Sequence, residues 1–468
     1  MVLTRRRFLK SSAVAATGLA LAACVPAEPS VDMPVGTGSD AEMTEITYLI
    51  RSDIGVKIQE WTDEAIADFA TVEPNIAIET IGVPWGDYNA KLLAQYAAGD
   101  PPEISANYAA GFPTFYANDA IVALDELVSE NNVDLSVIEQ AALDAVTRNG
   151  KLWALPLAHL PTIVYYNLDA LEEAGATVPP IDWADTSWTT DAMLESANAA
   201  AKDMDDPTKA QYGMIFGNGQ LGVFEWLWGA DPFNDVGGPE HTEAYKTGIV
   251  TESFYDSETM NTFIGWVYDA IYGGSPVSPR PSDTDAIQQL VGWPMMSGRI
   301  GMAINGAWSV TNFAAVEPSW RWGVGAFPYG PAGVNTSPLF NDSWMLGKGA
   351  KEQDAGFRFL QYLAVEKGAE LYAQITGFFP AHKENYPIYF DSLMNIPNFA
   401  LSREDAETAL LDAFNYGYVT PGKTLDSYPE WNRTFNQTMG PIWNAEVSVA
   451  DGLAQVQAQF ESVIESKS

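Results

Sequence analysis

From residue 44 onward, short strand-like runs alternate with amphipathic helical stretches, and that alternation leaves few architectures open. Ile46–Ile50 (ITYLI) reads as a strand, followed by the loop Arg51-Ser52-Asp53 and a helix near Val56–Thr71. Asn75–Ile81 is a second strand, and Asp87–Ala98 is an amphipathic helix ended by Gly99 and Pro101. A third strand at Glu103–Ala106 leads to Phe112–Ala117 and a helix over Ile121–Val128. This order predicts parallel βαβ layers and an α/β fold. It resumes after Pro161 with a strand at Ile163–Asn167 and breaks at the Pro-rich Val178–Trp183. A helix capped by Thr189 or Thr190 and a strand at Tyr212–Phe216 follow, and the C-terminal third reads mostly helical. Chains longer than roughly 250–300 residues divide into domains, so 468 residues predict two.

The first 24 residues read as an address. Thr4-Arg5-Arg6-Arg7-Phe8-Leu9-Lys10 resembles a twin-arginine export signal, and Leu21-Ala22-Ala23-Cys24 looks like a lipobox after an uncharged stretch. Residues 1–23 are thus expected to be a signal peptide, cut before Cys24, whose thiol would carry the lipid. The alternative is a short uncleaved anchor helix. Either way the globular part is expected outside the cytoplasm, at the outer face of the membrane. Val25–Met43 is acidic, rich in Pro, Gly and Ser and without periodicity, so residues 24–43 read as lipidated terminus and tether. Cys24 is the only cysteine, so no internal disulfide can form and the fold must rest on its core. Without residues 1–23 the chain has 20 Lys and Arg against 61 Asp and Glu, a net of −41. Such a surface repels nucleic acid. The 15 Trp, 20 Tyr and 21 Phe supply a core and also suit a cleft that stacks flat, weakly polar ligands.

Four blocks, in order, resemble the extracellular solute-binding proteins of ABC sugar importers, the family that includes maltose-binding protein. They are Tyr88–Ile104, Gly150–Asn167 with Leu168–Gly175, Ser297–Trp308, and Phe357–Pro380 with its Gly377-Phe378-Phe379-Pro380 turn. The third, SGRIGMAINGAWS when Ser309 is included, is the most specific. The resemblance implies a two-lobed periplasmic-binding-protein fold of type II, with ligand held between lobes joined by about three crossing segments. It places lobe 1 at 44–158 plus about 342–380, and lobe 2 at about 159–341 plus 381–468. It also implies a monomeric receptor without catalysis or cofactor. Its ligand would be a carbohydrate, an oligosaccharide by preference, delivered to membrane permease subunits driven by a cytoplasmic ATPase.

Candidate contacts follow from where sugars need aromatic faces and hydrogen-bonding groups. Trp308 stands at the family's tryptophan position; its alternative is a core role. Arg51 and Asp53 follow the first strand, and Asn107 and Tyr108 the third, at the strand ends where open α/β sheets bind ligands. His159 lies at the first crossover, Trp344 after the second and Phe378 at the last; each has a structural alternative. Asn218 sits in Gly217-Asn-Gly-Gln-Leu-Gly222, which fits a dinucleotide loop but equally exposes a helix start, so Asn218 joins the candidates.

A phosphate-loop pattern, GYVTPGKT over 417–424, also matches. A helix-like stretch precedes it, and Pro429 argues against the required following helix. No nucleophile elbow or zinc-protease motif is present, and His159, His241 and His382 are dispersed, so no metal is called for. Asp203–Asp206 and Asp283/Asp285 could attract calcium but lack a full ligand pattern with its glycine, and read instead as solvated turns. Two rivals stay open: an exported glycoside hydrolase or lyase acting through paired carboxylates, and the same fold binding a polyol, a phosphodiester or another anion at Arg51.

Overall fold

The computed structural model describes residues 43–53, 55–107, 111–216, 224–238, 243–420 and 424–467. Its eleven strands are β1 (Thr44–Arg51), β2 (Ile76–Val83), β3 (Ile104–Asn107), β4 (Thr147–Arg148), β5 (Lys151–Leu152), β6 (Leu155–Asn167), β7 (Tyr212–Phe216), β8 (Ile300–Gly306), β9 (Trp322–Gly325), β10 (Ser337–Leu346) and β11 (Gly417–Val419). Nine form one sheet in the order β2-β1-β3-β10-β6-β8-β7, with β11 beside β10 and β9 beside β6. The expected βαβ unit is present: β1 pairs in parallel with β2 and with β3. The crossovers are α1 (Val56–Val72) and α2 (Trp85–Ala98). Gly99 ends α2 in the left-handed conformation, where a glycine carries no Cβ penalty.

Two long strands tie the halves together. β6 has 13 residues, all buried. Leu155–Pro161 pairs with β10, whereas Thr162–Tyr166 pairs with β8 and Val164–Asn167 with β9. The exchange of partners falls at Pro161, which has no N–H to offer a continuing ladder. β10 runs beside it with a register shift between Asp342 and Ser343, then pairs with β3 through Ser343–Leu346. A third segment joins them: the His159 N–H donates to the Phe379 carbonyl at 3.3 Å, and the Ala381 N–H to Leu157 at 2.9 Å. Around this crossing the chain is a two-lobed α/β fold, one lobe built on β2-β1-β3 and the other on β8-β7.

The core of the first half is aromatic. Trp61 on α1 is fully buried, donates Nε1–H to the Gly368 carbonyl at 3.0 Å, and meets Trp344 and Tyr372 edge-on at 5.9 and 5.1 Å. On the other side the Thr189 hydroxyl accepts from the Ala192 N–H at 3.1 Å and caps the helix Thr190–Ala200, as its position predicts.

Three expectations need correction. The helix foreseen over Ile121–Val128 begins only at Asp125, because Ile121 bridges to Gly347 and the Val122 N–H donates to Leu346. The strand foreseen at Ile163–Asn167 is the second half of β6, whose continuous apolar run conceals its length. Pro429 does not prevent a helix. It lies in the first turn of Tyr428–Trp443, where a missing N–H breaks no bond. The phosphate-loop match still fails in its context, since 417–419 is a short strand paired with β10 and Thr424 Oγ1 is turned to the Thr420 carbonyl at 3.5 Å. Residues 421–423 of that match lie outside the described residues.

Candidate functional site

Trp308 follows the end of β8 in a short 3-10 turn, its side chain half-buried. The indole folds back over Gly306, where a Cβ would lie 2.0 Å from Trp308 Cζ3, so only glycine admits this ring position. Phe340 on the crossing strand β10 meets it edge-on at 4.9 Å and 89°. Thr311, which donates its hydroxyl to the Trp308 carbonyl at 2.8 Å, also approaches Gly377, the residue before Phe378. Trp308 and Phe340 therefore meet beside the crossing strand β10, while Phe378 faces Tyr372 at 6.3 Å. Phe378 is half-buried, and its N–H donates to Thr376 Oγ1 at 3.1 Å.

At the ends of β1 and β2 the structure builds a second aromatic element. The Arg51 guanidinium lies 4.5 Å above the ring of Trp85, which is 37% exposed, and Arg51 Nε donates to Asp53 Oδ1 at 2.6 Å. The Trp85 N–H, in the first turn of α2, donates to the Asp53 carboxylate at 3.2 Å. The hydrogen bond from Arg51 holds the Asp53 carboxyl below its ordinary range, and the Trp85 N–H acts in the same direction. Sequence reasoning missed Trp85. Its signal was available, an aromatic just past a strand end, but the Pro84-Trp85 pair reads as a helix start.

Other candidates are placed differently. Asn107 is buried at the end of β3, where its amide reaches Ser343 Oγ at 3.5 Å. Trp344 is a core residue and not a stacking platform: it is fully buried and donates Nε1–H to the Tyr48 hydroxyl at 2.5 Å. His159 is likewise no surface contact. It is fully buried, stacks on Phe414 at 4.8 Å and stands opposite Asn341 on β10. Burial pushes its pKa down to about 4, with the Asn341 side chain opposing the shift, so the imidazole is neutral. Tyr108, Asn218 and Cys24 lie outside the described residues. Among the described residues no cluster of three or more His, Cys, Asp or Glu could hold a metal ion. The Asp206 carboxylate is engaged by Thr208 and Lys209.

A shallow depression of about 520 Å³, lined by Tyr116, Ala117, Asp119, Asn149, Lys151 and Trp153, lies on the first half. The polar atoms of its aromatic walls are engaged internally: the Tyr116 hydroxyl accepts from Asn149 Nδ2 at 2.8 Å, and Trp153 Nε1 donates to the Arg148 carbonyl at 3.1 Å.

A two-lobed α/β fold with partly open aromatic rings at strand ends suits a protein that binds a small solute. The chain belongs to the bacterial extracellular solute-binding protein family, whose model matches residues 64–388. The members of this family are binding proteins that work outside the cytoplasm. The chain is 22% identical over 459 residues to the galactooligosaccharide-binding protein of Bacillus subtilis, covering 97% of this chain and 94% of that one. It is 23% identical to the sn-glycerol-3-phosphate-binding periplasmic protein of Escherichia coli, covering 77% and 80%. In structure it is similar to an ABC substrate-binding protein of Listeria monocytogenes solved in complex with cycloalternan. That match has a TM-score of 0.73 and 19% identity, and it covers 91% of this chain and 100% of the other. Among the described residues no helix is long and apolar enough to cross a membrane.

Proposed function

We propose that this protein is the substrate receptor of an ABC importer and takes a carbohydrate, an oligosaccharide by preference, between its lobes. The observation that carries the reading is the half-buried Trp308, set over Gly306 and against Phe340 beside the crossing strands. Such a ring offers its face to the C–H side of a sugar. Trp85 and Phe378 extend the aromatic surface, and Asp53 and Arg51 supply hydroxyl partners. The lobe boundaries near 158/159, 341/342 and 380/381 belong to this reading. The mutual contacts of His159, Asn341 and Phe379 support them. Contacts to both lobes would draw them together, and the permease would recognise the closed form. Export by the twin-arginine signal, cleavage before Cys24, lipid anchoring there and a monomeric state complete the reading.

A resemblance to a glycerol-phosphate receptor gives the anion reading a specific basis. Arg51 argues against it, because its charge is already engaged by Asp53 and by the Trp85 face. A thermal-shift screen over mono- and oligosaccharides and glycerol phosphate decides. A sugar at 100 times its Kd should stabilise by about 2.7 kcal/mol. Recovery of that sugar unchanged supports the receptor, whereas shortened products would establish a hydrolase. A response to glycerol phosphate alone, abolished by Arg51→Ala, would overturn the carbohydrate reading.

A further inference from the structure

Arg148 is the one buried Lys or Arg among the described residues. It stands at the end of β4, in a hairpin fastened to the first half: the Leu124 N–H donates to the Leu152 carbonyl, and the Val122 N–H to Leu346 at the end of β10. The guanidinium lies over the rings of Phe112 and Tyr116, at 5.7 and 5.4 Å. Its two terminal nitrogens donate to Asp426 Oδ1 and to the Thr424 carbonyl. Both acceptors lie just ahead of the helix Tyr428–Trp443. That helix belongs to the second half: Tyr272 donates its hydroxyl to the Trp443 carbonyl, and the segment following Tyr272 is bonded to β7 through Val277. The pair therefore joins the hairpin that leads into β6 to the segment between β11 and the helix Tyr428–Trp443, beside the crossing strands. Its side chains are 7% and 21% exposed.

We propose that Arg148 and Asp426 form a latch across the cleft, whose pairing is a condition of closure. This rests on the reading of the molecule as a hinge-closing receptor. Both are positioning residues: they set affinity by setting the population of the closed form. Opening hydrates both charges. Closing with one partner removed buries the other charge alone, and that penalty falls on the closed state only. Gly248 shapes the seat. It has φ +82°, and a Cβ there would lie 2.3 Å from Asp426 Oδ1 and 2.5 Å from Arg148 Nη1. The aromatic wall of the neighbouring depression holds the guanidinium from behind.

The test compares wild type with Asp426→Asn and Gly248→Ala by small-angle scattering without ligand and by titration with maltotriose. Both variants should show a larger ligand-free radius of gyration. Where wild type binds maltotriose, the Kd should rise at least tenfold while the saturated radius stays the same. If maltotriose does not bind wild type, the ligand-free scattering decides alone, and a larger radius sustains the latch while the carbohydrate reading loses support. Should Asp426→Asn fail to fold by circular dichroism, Asp426→Glu supplies the comparison, since its extra methylene presses on Gly248. Folded variants whose ligand-free radius matches wild type, with Kd unchanged or maltotriose unbound, overturn the latch.

Discussion

At the scale of single residues, the structure separates aromatics that pack from aromatics that remain partly open. Trp344 lies within β10 and Trp308 just past β8, yet one is sealed against Tyr48 and Trp61 and the other keeps part of its ring accessible. Trp308→Ala should therefore weaken binding of the best sugar found at least tenfold, about 1.4 kcal/mol, measured by calorimetry. Arg51→Ala should cost less than about threefold, because Arg51 is already occupied by Asp53 and Trp85. An order reversed between these two variants would sink the stacking argument. His159 supplies a pH prediction. Its folded pKa is lowered to about 4 from an ordinary 6.5, so the unfolded chain binds the extra proton. The stabilisation by neutral His159 is complete above pH 6.5 and is lost as pH falls toward 4. The shift corresponds to roughly 3 kcal/mol. Urea unfolding at pH 7 and pH 4.5 should show a smaller pH dependence in His159→Gln than in wild type; equal dependence would remove His159 from the account.

Among the elements, the βαβ start was legible because period and punctuation agree. β7 matches its predicted Tyr212–Phe216 span, and α2 closes at Gly99 as foreseen. What failed were boundaries decided by partners distant in sequence. Ile121 and Val122 look helical locally, but Gly347 and Leu346 draw them into bridges. β6 is buried along its whole length, so it lacks the alternation that marks a strand with one wet face. The packing of α1 on the helix Lys367–Thr376 rests on Trp61. Trp61→Ala should cost about 3–5 kcal/mol in urea unfolding, from the cavity and from losing the bond to Gly368. A loss under about 1 kcal/mol would mean that the first half repacks freely.

For the whole molecule, the proposed closing motion and the proposed export route belong together. On the proposed reading, a receptor that closes on its ligand must be folded before it can bind. Twin-arginine export passes folded cargo, which fits the motif at residues 4–10. Replacing Arg5 and Arg6 by Lys should leave folded, ligand-competent protein inside the cell; normal export of that variant would refute this route. Neighbouring residues record the alternation that makes an α/β fold and the family blocks, and a single cysteine is enough to rule out an internal disulfide. Long-range packing settled that Trp85 is partly open while Trp344 is sealed, that His159 is buried opposite Asn341, and that Arg148 meets Asp426. Each of those depends on contacts between segments far apart along the chain, and no local pattern of residues records which distant partner will remove a side chain from water.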